Sequence, residues 1–353
     1  MRTFHAGFEP GIPPVRVRLG AGMRHEVGAE MRALGLSRAL VLTTPEQAPR
    51  GEIVRAALGP LAHALFSRAS MHTPVAVTEA ALASVAGADC LVAIGGGSTI
   101  GLGKAIALRT DLPQIVLPTT YAGSEATAVL GQTAAGIKET LRSHKVQPEV
   151  ILYDPELVAT LPARMTVTSG LNAMAHAVEG LYARDRNPLS DRLALAGLQA
   201  FKDGLPRVVA DLGDLAAREA TQFGSWLCGT VLNTVGMALH HKLCHTLGGS
   251  FDLPHAETHA VLLPHVADYN AEAAAEALAP VVGLFGGTVG GGLYDFAGSL
   301  GAPLAMRDLG LAASDLDRAA DLAVANPYWN PRPVEREAIR ALLQRAWEGA
   351  RPR

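Results

Sequence analysis

Cysteine and charge are both scarce in this chain of 353 residues. Its three cysteines, Cys90, Cys228 and Cys244, are an odd number without CxxC spacing, which argues against a disulfide framework and favours reduced thiols in a cytoplasm. Cys90 opens an apolar run and is predicted to be a small core residue. Charged residues make up 18% of the chain and apolar residues 49%, so the disordered class of proteins is excluded.

An excess of positive charge is missing as well. The chain has 30 Lys and Arg against 33 Asp and Glu, a net charge of −3, and so offers no field to hold a polyanion. The first 14 residues lack the apolar segment of a secretory signal. The most apolar later stretch, Pro280–Tyr294, holds six glycines and is too short to span a bilayer. We therefore expect a cytoplasmic protein with neither nucleic acid nor a membrane as partner.

Short apolar runs alternate with helical patterns in the first half of the chain. Because these runs are continuously apolar, they are typical of parallel strands covered on both faces, and they predict a doubly wound α/β domain. The predicted strands are Ala39–Thr43, Cys90–Ile94, Gln114–Leu117 and Val150–Tyr153, with helical stretches such as Glu79–Val85 and Leu102–Leu108 between them.

After Pro155 the pattern changes to long Ala- and Leu-rich helical periodicity. At about 150 residues per domain, the length indicates two domains. We predict an α/β domain with a mainly parallel sheet over 1–155 and an all-helical domain over 156–353, with turns at Asn187-Pro188 and Gly213.

Two loops in the first half carry polar or glycine-rich sequence where a strand ends. Gly95-Gly96-Gly97-Ser98 follows one strand and opens a helix that carries Lys104, a pattern that lets backbone N–H groups approach a pyrophosphate. The loop is neither a Walker A sequence nor GxGxxG, and a plain tight turn is the alternative. The next strand is followed by Thr119, Thr120, Ser124 and Glu125. Because open α/β sheets bind ligands at these strand ends, the two loops together predict a nucleotide site.

Histidines dominate the second half, with six of the twelve between His240 and His265. His241 and His245 are one helical turn apart, Gly248-Gly249 is predicted to end their helix, and His255 follows Pro254 and could fold back toward His241.

A second helix places Asn172 and His176 on one face, with Leu171, Met174 and Val178 on the other. A single histidine is most simply a solvated or hydrogen-bonded residue, but two such polar pairs on apolar helices favour a site. His240, His259 and His265 are expected to be structural or to lie behind the site.

These motifs together resemble the iron-containing alcohol dehydrogenase family. The shared features are GGGS with a following Lys, PTT-x2-GSE, DPEL-x3-LP, a polar residue followed four positions later by His, and His-x3-His-x-LGG-x5-His. They run in order from about Val15 to Arg351 and so cover nearly the whole chain. Within the family, the sequence is similar to the maleylacetate reductases through GGGSTIGLGKAIAL, GLNAMAHAVEG, HHKLCHTLGGSFDLPHAETH and NPYWNPRP.

The resemblance implies a dinucleotide-binding first domain and a helical second domain of the dehydroquinate synthase-like fold, with the nicotinamide in the cleft between them. Contacts with the pyrophosphate fall on Gly95, Gly96, Gly97 and Ser98, and contacts with the ribose and nicotinamide on Thr119, Thr120 and Ser124. The family's metal-ligand positions fall on Asn172, His176, His241 and His255, and His245 sits beside the nicotinamide. Asn172 stands where the family usually has an Asp ligand, and Gly101 replaces the Asp common three residues after GGGS.

The resemblance also implies an activity, the reduction of the C=C bond of maleylacetate to 3-oxoadipate in aromatic degradation, by a homodimer. Charge develops on an enolate oxygen, and imidazoles suit its stabilisation and protonation. We assign His241, His245 and His255 to this task, with His245 a candidate proton donor and His176 orienting the group. The substrate, chlorinated or not, is a dianion. Cation candidates are Arg332, Lys138 and Lys145, while Asn326 lines the substrate cavity by resemblance, which brings Tyr328 and Asn330 near it.

Two cofactor expectations follow. Thr44 stands at the position where an acid would bind the ribose 2′-OH, so NADPH should be accepted beside NADH, with Glu46 the nearest acid. Asn172 supplies no negative charge to a bound cation, so we expect that the activity requires no metal. The alternative is a zinc site formed by His176, His241 and His255.

Other functions stay open. A metal-dependent alcohol or polyol dehydrogenase of the same fold is the first alternative. A nucleotide-binding protein without redox activity, or a lyase on the same scaffold, is the second.

Overall fold

The computed structural model describes residues 2–6, 14–134 and 137–353, with the backbone alone for 2–6, 137 and 138. The chain divides into two compact units. The first comprises Met1–Leu161 and Gly213–Gln222, and the second comprises Pro162–Leu212 and Phe223–Arg353. The predicted boundary near Pro155 lies close to this division, whereas the assignment of the short 213–222 segment to the first unit was not foreseen.

A seven-stranded sheet forms the centre of the first unit. The strands of this unit are β1 (Arg2–Ala6), β2 (Val15–Leu19), β3 (Ala39–Leu42), β4 (Ala62–Phe66), β5 (Cys90–Gly95), β6 (Gln114–Pro118), β7 (Val129–Ala134), β8 (Ile137–Arg142) and β9 (Val150–Tyr153). The sheet order is β1-β2-β9-β6-β5-β3-β4, and β7 pairs with β8 as a separate hairpin. Only the β1–β2 pair of the sheet is antiparallel among the described strands, so the predicted mainly parallel sheet is confirmed.

Helices cover both faces of this sheet: α1 (Val27–Ala33), α2 (Ala48–Leu58), α3 (Val75–Leu82), α4 (Gly97–Thr110) and the short α5 (Pro155–Val158). Successive residues of β3 show the arrangement, because Val41 packs with Val54 on one face while Leu40 and Leu42 pack with Ile106 on the other. Burial on both faces explains why the strands are continuously apolar. The doubly wound prediction is therefore confirmed.

The second unit is helical throughout its described residues. Its helices are α6 (Ala163–Leu181), α7 (Pro188–Ala210), the later part of α8 (Leu215–Thr234), α9 (Leu239–Phe251), α10 (His255–Asn270), α11 (Ala275–Phe285), α12 (Val289–Ser299), α13 (Leu316–Ala325) and α14 (Arg336–Glu348). Helix α6 is buried from Thr166 to Leu181, so the predicted polar and apolar faces both lie inside the unit. It packs against α7 and α10.

Two local predictions in this unit were wrong. Helix α9 continues through Gly248 and Gly249 and ends at Asp252, whose φ of 53° takes the left-handed position that glycine usually fills. Asn187 does not mark a turn but caps α7, where its side chain accepts from Leu189 N and Ser190 N and Pro188 takes the first helical position.

One segment of the described chain, Ala275–Ser299, is long and apolar enough to cross a membrane by length and composition alone. The structure divides it at Gly286 and Gly287 into α11 and α12, which have 11 residues each. A spanning helix needs about 20 residues, so neither helix meets that length.

Candidate active site

The glycine loop of the first unit joins β5 to α4. A Cβ atom at Gly95 would lie 2.2 Å from Thr99 Oγ1, and one at Gly96 would lie 2.8 Å from Thr120 Cγ2, so both positions require glycine. At Gly97 no heavy atom of the described residues lies within 4 Å of the Cβ position. No described side chain caps the N-terminus of α4. Thr99 N and Ile100 N donate to Gly96 O, whereas the N–H groups of Gly97 and Ser98 have no side-chain cap among the described residues, and Gly97 is exposed. This end of the helix suits an anion.

The second predicted loop lies beside the first. Thr119 N donates to Gly95 O at 3.0 Å, and Thr119 Oγ1 shares a hydrogen bond with the side-chain amide of Gln47 at 3.2 Å. Ser124 Oγ is buried and has no hydrogen-bond partner among the described residues. The structure thus brings Thr119 and Thr120 to the glycine loop, and Ser124 is held to α4 through Lys104.

Lys104 anchors this second loop instead of facing solvent. Its Nζ donates to Ser124 O at 2.6 Å, Thr127 O at 2.7 Å and Val129 O at 2.9 Å. Burial lowers the pKa of Lys104 to about 7. The lysine of the sequence motif is therefore a structural support for the loop.

Thr44 lies just after β3, the neighbour of β5 in the sheet. The nearest acid, Glu46, is exposed, and hydrogen bonds from its own backbone and from Thr44 lower its pKa. Thr44 itself places no negative charge at this strand end.

Histidines from three helices meet inside the second unit. Helix α6 supplies His176, α9 supplies His240, His241 and His245, and α10 supplies His255 and His259. The ring of His241 lies 4.9 Å from that of His176 and 5.0 Å from that of His259, measured between centroids. The ring of His255 lies 4.5 Å from that of His259. His176, His241 and His255 were predicted to lie together. In the structure His259 connects them, because its ring contacts those of His241 and His255, whereas it was expected to lie behind the site.

Glu179 organises the cluster, and the sequence analysis missed it. Its carboxylate is buried, accepts from His240 N at 2.7 Å and accepts from Nδ1 of His241. Nε2 of His241 then accepts from Nδ1 of His176, at 2.8 Å. A hydrogen-bonded chain thus runs from His176 through His241 to Glu179. The signal in the sequence was an acid three residues after His176 on a helix that is otherwise apolar.

His240 and His259 form a second buried pair, with Nε2 of His240 and Nδ1 of His259 at 2.9 Å. Burial, and then the charge of neighbouring histidines, lowers the pKa of both rings well below the usual value, so both are neutral. Cys244 Sγ lies 3.6 Å from His240 Nε2. His265 lies apart from this group, and burial lowers its pKa to about 4.

Tyr328 contacts His245 at the edge of the cluster. The Tyr328 hydroxyl lies 3.2 Å from Nδ1 of His245 and is part of the NPYWNPRP segment singled out in the sequence. Two contacts hold this segment: the side chains of Asn330 and Asn270 pair at 3.0 and 2.7 Å, and the Arg332 guanidinium stacks 4.1 Å from the Tyr269 ring.

Two of the predicted substrate cations make contacts within the protein, and their role toward a substrate stays a prediction. Arg332 also donates to Tyr269 O at 3.1 Å, a contact that orients its side chain on the protein surface. Lys145 pairs with Asp111 at 3.3 Å. The backbone of Lys138 lies in β8, and its side chain lies outside the described part of the chain. Asn326 ends α13 and is exposed.

Asn172 is buried one turn before His176, and its Oδ1 has no hydrogen-bond partner among the described residues. With His176, His241 and His255 it offers an amide oxygen and three imidazoles. Among the described His, Cys, Asp and Glu residues, the ligand atoms that lie within 4.8 Å of one another are instead those of His240, Cys244 and His259, all three buried.

Comparison with known proteins adds the following. Residues 14–155 match the iron-containing alcohol dehydrogenase family, and residues 166–347 match the C-terminal part of the Fe-containing alcohol dehydrogenase family. The maleylacetate reductase of Rhizobium sp. strain MTP-10005 is 61% identical over 96% of this chain and 97% of its own. That of Burkholderia cepacia is 51% identical over 98% of both chains. The crystal structure of maleylacetate reductase from Agrobacterium tumefaciens superposes with a TM-score of 0.95 at 59% identity, covering 98% of this chain and 100% of the other.

Proposed function

Since this chain belongs to the iron-containing alcohol dehydrogenase family and is an oxidoreductase, we propose that it reduces the C=C bond of maleylacetate with NADH or NADPH. The names and identities of its relatives support this substrate. The observation that carries the proposal within the molecule is the buried chain from His176 through His241 to Glu179. It provides imidazole donors backed by a carboxylate, which a developing enolate needs.

The reaction is balanced by one hydride and one proton. The hydride of the dihydronicotinamide adds to the alkene carbon β to the ketone, and the alkene electron pair moves onto the ketone oxygen. The carbon between the two then takes a proton, and the products are 3-oxoadipate and the oxidised dinucleotide. We assign the proton to His245, which contacts Tyr328. Donation to the enolate oxygen is assigned to His255 and to His241, which His176 orients. Nε2 of His241 would donate after it takes a proton and exchanges its bond with His176 for one to the substrate, while Nδ1 stays bonded to Glu179.

The dinucleotide is assigned to the first unit. Gly95, Gly96, Gly97 and Ser98 would hold the pyrophosphate against the N-terminus of α4. The ribose and nicotinamide would contact Thr119, Thr120 and the buried Ser124 Oγ, which lacks a partner among the described residues. Since Thr44 offers no carboxylate, a 2′-phosphate is tolerated and both cofactors are used.

The name of the family refers to iron. The comparisons therefore do not support the expectation that the activity requires no metal. The residues present fit a divalent ion, because Asn172 Oδ1 is buried without a described partner and Glu179 holds His241 as carboxylates hold metal-bound histidines. Asn172, His176, His241 and His255 would hold it, and a bound ion would supply a Lewis acid at a substrate oxygen.

We propose that the ion binds weakly and that turnover does not depend on it, because the donor set has no negative ligand. After exhaustive chelation, unchanged turnover of maleylacetate is expected, and Asn172→Asp should raise metal affinity. A loss of activity that Zn²⁺ or Fe²⁺ restores would show that the reaction needs the metal.

The function itself is tested with purified protein. NADH should be consumed with maleylacetate, and hardly any NADH should form from NAD⁺ with simple alcohols. Robust alcohol oxidation without maleylacetate reduction would favour the metal-dependent alcohol dehydrogenase instead.

We also propose a cytoplasmic location and a homodimer. Among the described residues the three cysteines form no disulfide, which agrees with the cytoplasm, and the homodimer is proposed from the family resemblance. Acceptance of chlorinated maleylacetates is measured in the same assay.

A further inference from the structure

A dianionic substrate needs a cation that the protein does not already neutralise, and this inference rests on the proposed function. Near the histidine cluster, Arg332 is stacked on Tyr269 and donates to its carbonyl. Arg164, also in the second unit, pairs with Glu257 at 3.7 Å. These contacts orient the Arg332 side chain toward Tyr269, and Glu257 offsets the charge of Arg164.

We propose that Lys242 binds one carboxylate of the dicarboxylate substrate. Lys242 follows His241 directly on α9 and precedes His245 by three residues. Its Nζ lies 5.9 Å from the centroid of the Tyr328 ring, and the hydroxyl of the same tyrosine contacts His245. Tyr328 thus contacts both Lys242 and His245, the assigned proton donor.

The charge of Lys242 is available to a ligand. Among the described residues, the Nζ of Lys242 contacts the ring of Tyr328 and forms no ion pair with a carboxylate. The side chain is half-buried, so a bound carboxylate would be screened less than at an open surface. An ammonium is a strong partner for a carboxylate oxygen, and the Tyr328 hydroxyl can donate beside it.

Tyr328, the residue beside Lys242, is held in place by contacts within the protein before any ligand binds. The Asn330–Asn270 pair and the Arg332–Tyr269 stack hold the segment that carries Tyr328. Little ordering is then needed on binding, which favours affinity. The positive charge need not come from the three cations that the sequence suggested, because Lys242 already contacts Tyr328 at the histidine cluster.

The experiment compares Lys242→Met and Lys242→Arg with Lys202→Met, a matched loss of a lysine on α7 away from these residues. Lys242→Met should raise the KM for maleylacetate about 10–100-fold, the effect of losing a charge-assisted hydrogen bond, while kcat changes less than about threefold. Lys242→Arg should restore most of the affinity, and Lys202→Met should match the wild type. A wild-type KM in a folded Lys242→Met variant would overturn the proposal.

A direct binding measurement separates this inference from the proposed function. Adipate, a dicarboxylate that cannot be reduced, is titrated calorimetrically into the wild type and Lys242→Met. A Kd about tenfold or more weaker in the variant supports the carboxylate site even if the wild type fails to turn over maleylacetate. Equal binding by both proteins, or no binding to the wild type, would overturn it.

Discussion

The carboxylate of Glu179 accepts a hydrogen bond from Nδ1 of His241, so that in the neutral ring Nε2 is the acceptor facing His176. A positive charge that develops on either imidazole is offset by a buried carboxylate. Glu179 also accepts from the backbone of His240, so it positions the start of α9 as well as the ring.

Replacement of Glu179 by Gln keeps the size of the side chain and removes its charge. We expect kcat to fall about 10–100-fold, the usual effect of removing a residue that orients a functional histidine, with a much smaller change in KM. Steady-state kinetics check this, and thermal melting shows that the variant is folded. Full activity in a folded Glu179→Gln protein would show that the carboxylate of Glu179 does not contribute to catalysis.

His245 is the assigned proton donor, and its replacement by Ala should lower kcat by about 10²–10⁴-fold. His241→Ala should have an effect of similar size because that ring is the centre of the hydrogen-bonded chain. His144→Ala, at an exposed position in the first unit, is the control and should be neutral. A His245→Ala enzyme with near wild-type kcat would transfer the proton role to another group.

The burial of Lys104 makes a prediction about pH and stability. Its pKa is about 7 in the folded protein against an ordinary value of 10.5, so between these values the unfolded chain binds one more proton than the folded chain. The free energy of unfolding should therefore rise with pH in this window, by about 1.4 kcal/mol per unit from this group. Below pH 7 the contribution should be flat.

Chemical denaturation of the wild type and Lys104→Met from pH 6 to 10 measures this difference. The variant should lack the rise that the lysine causes. Identical slopes in both proteins would mean that Lys104 stays charged, held by its three carbonyl acceptors.

Thr44 is predicted to leave the adenosine side of the cofactor site without a negative charge. The wild type should therefore use both NADH and NADPH, and Thr44→Asp should discriminate strongly against NADPH because a carboxylate repels the 2′-phosphate. The ratio of kcat/KM for the two cofactors is the measurement. A wild-type preference for NADH above about 10³ would reveal an acid elsewhere in the pocket.

The central strands were predictable because burial on two faces leaves a continuous apolar run, as in Val150–Tyr153, whose observed limits equal the predicted ones. The edge strand β4 was missed since four of its five residues are only partly buried. Strand β2 carries Arg18, which is buried because it pairs with Glu30 at 2.7 Å. No local sequence pattern predicts that Arg18 pairs with Glu30.

The same distinction applies to the candidate site. His241 and His245 were found because helical spacing is local, and the glycine loop because its composition is unusual. Glu179 and His259 meet the other histidines through contacts between helices far apart in the chain, and the proposal for Lys242 depends on its contact with Tyr328, which is also distant in sequence. Arg332 was predicted to meet the substrate because its charge was visible, whereas its stacking on Tyr269 is a tertiary contact.

Tracing the transferred hydrogen tests the central claim most directly. The protein is incubated with maleylacetate and NADH that carries deuterium at both C4 positions of the dihydronicotinamide, and the product is examined by NMR. The account predicts 3-oxoadipate with one deuterium on the carbon β to the ketone and none on an alcohol carbon. Deuterium on a newly formed alcohol carbon, with the C=C bond intact, would contradict it.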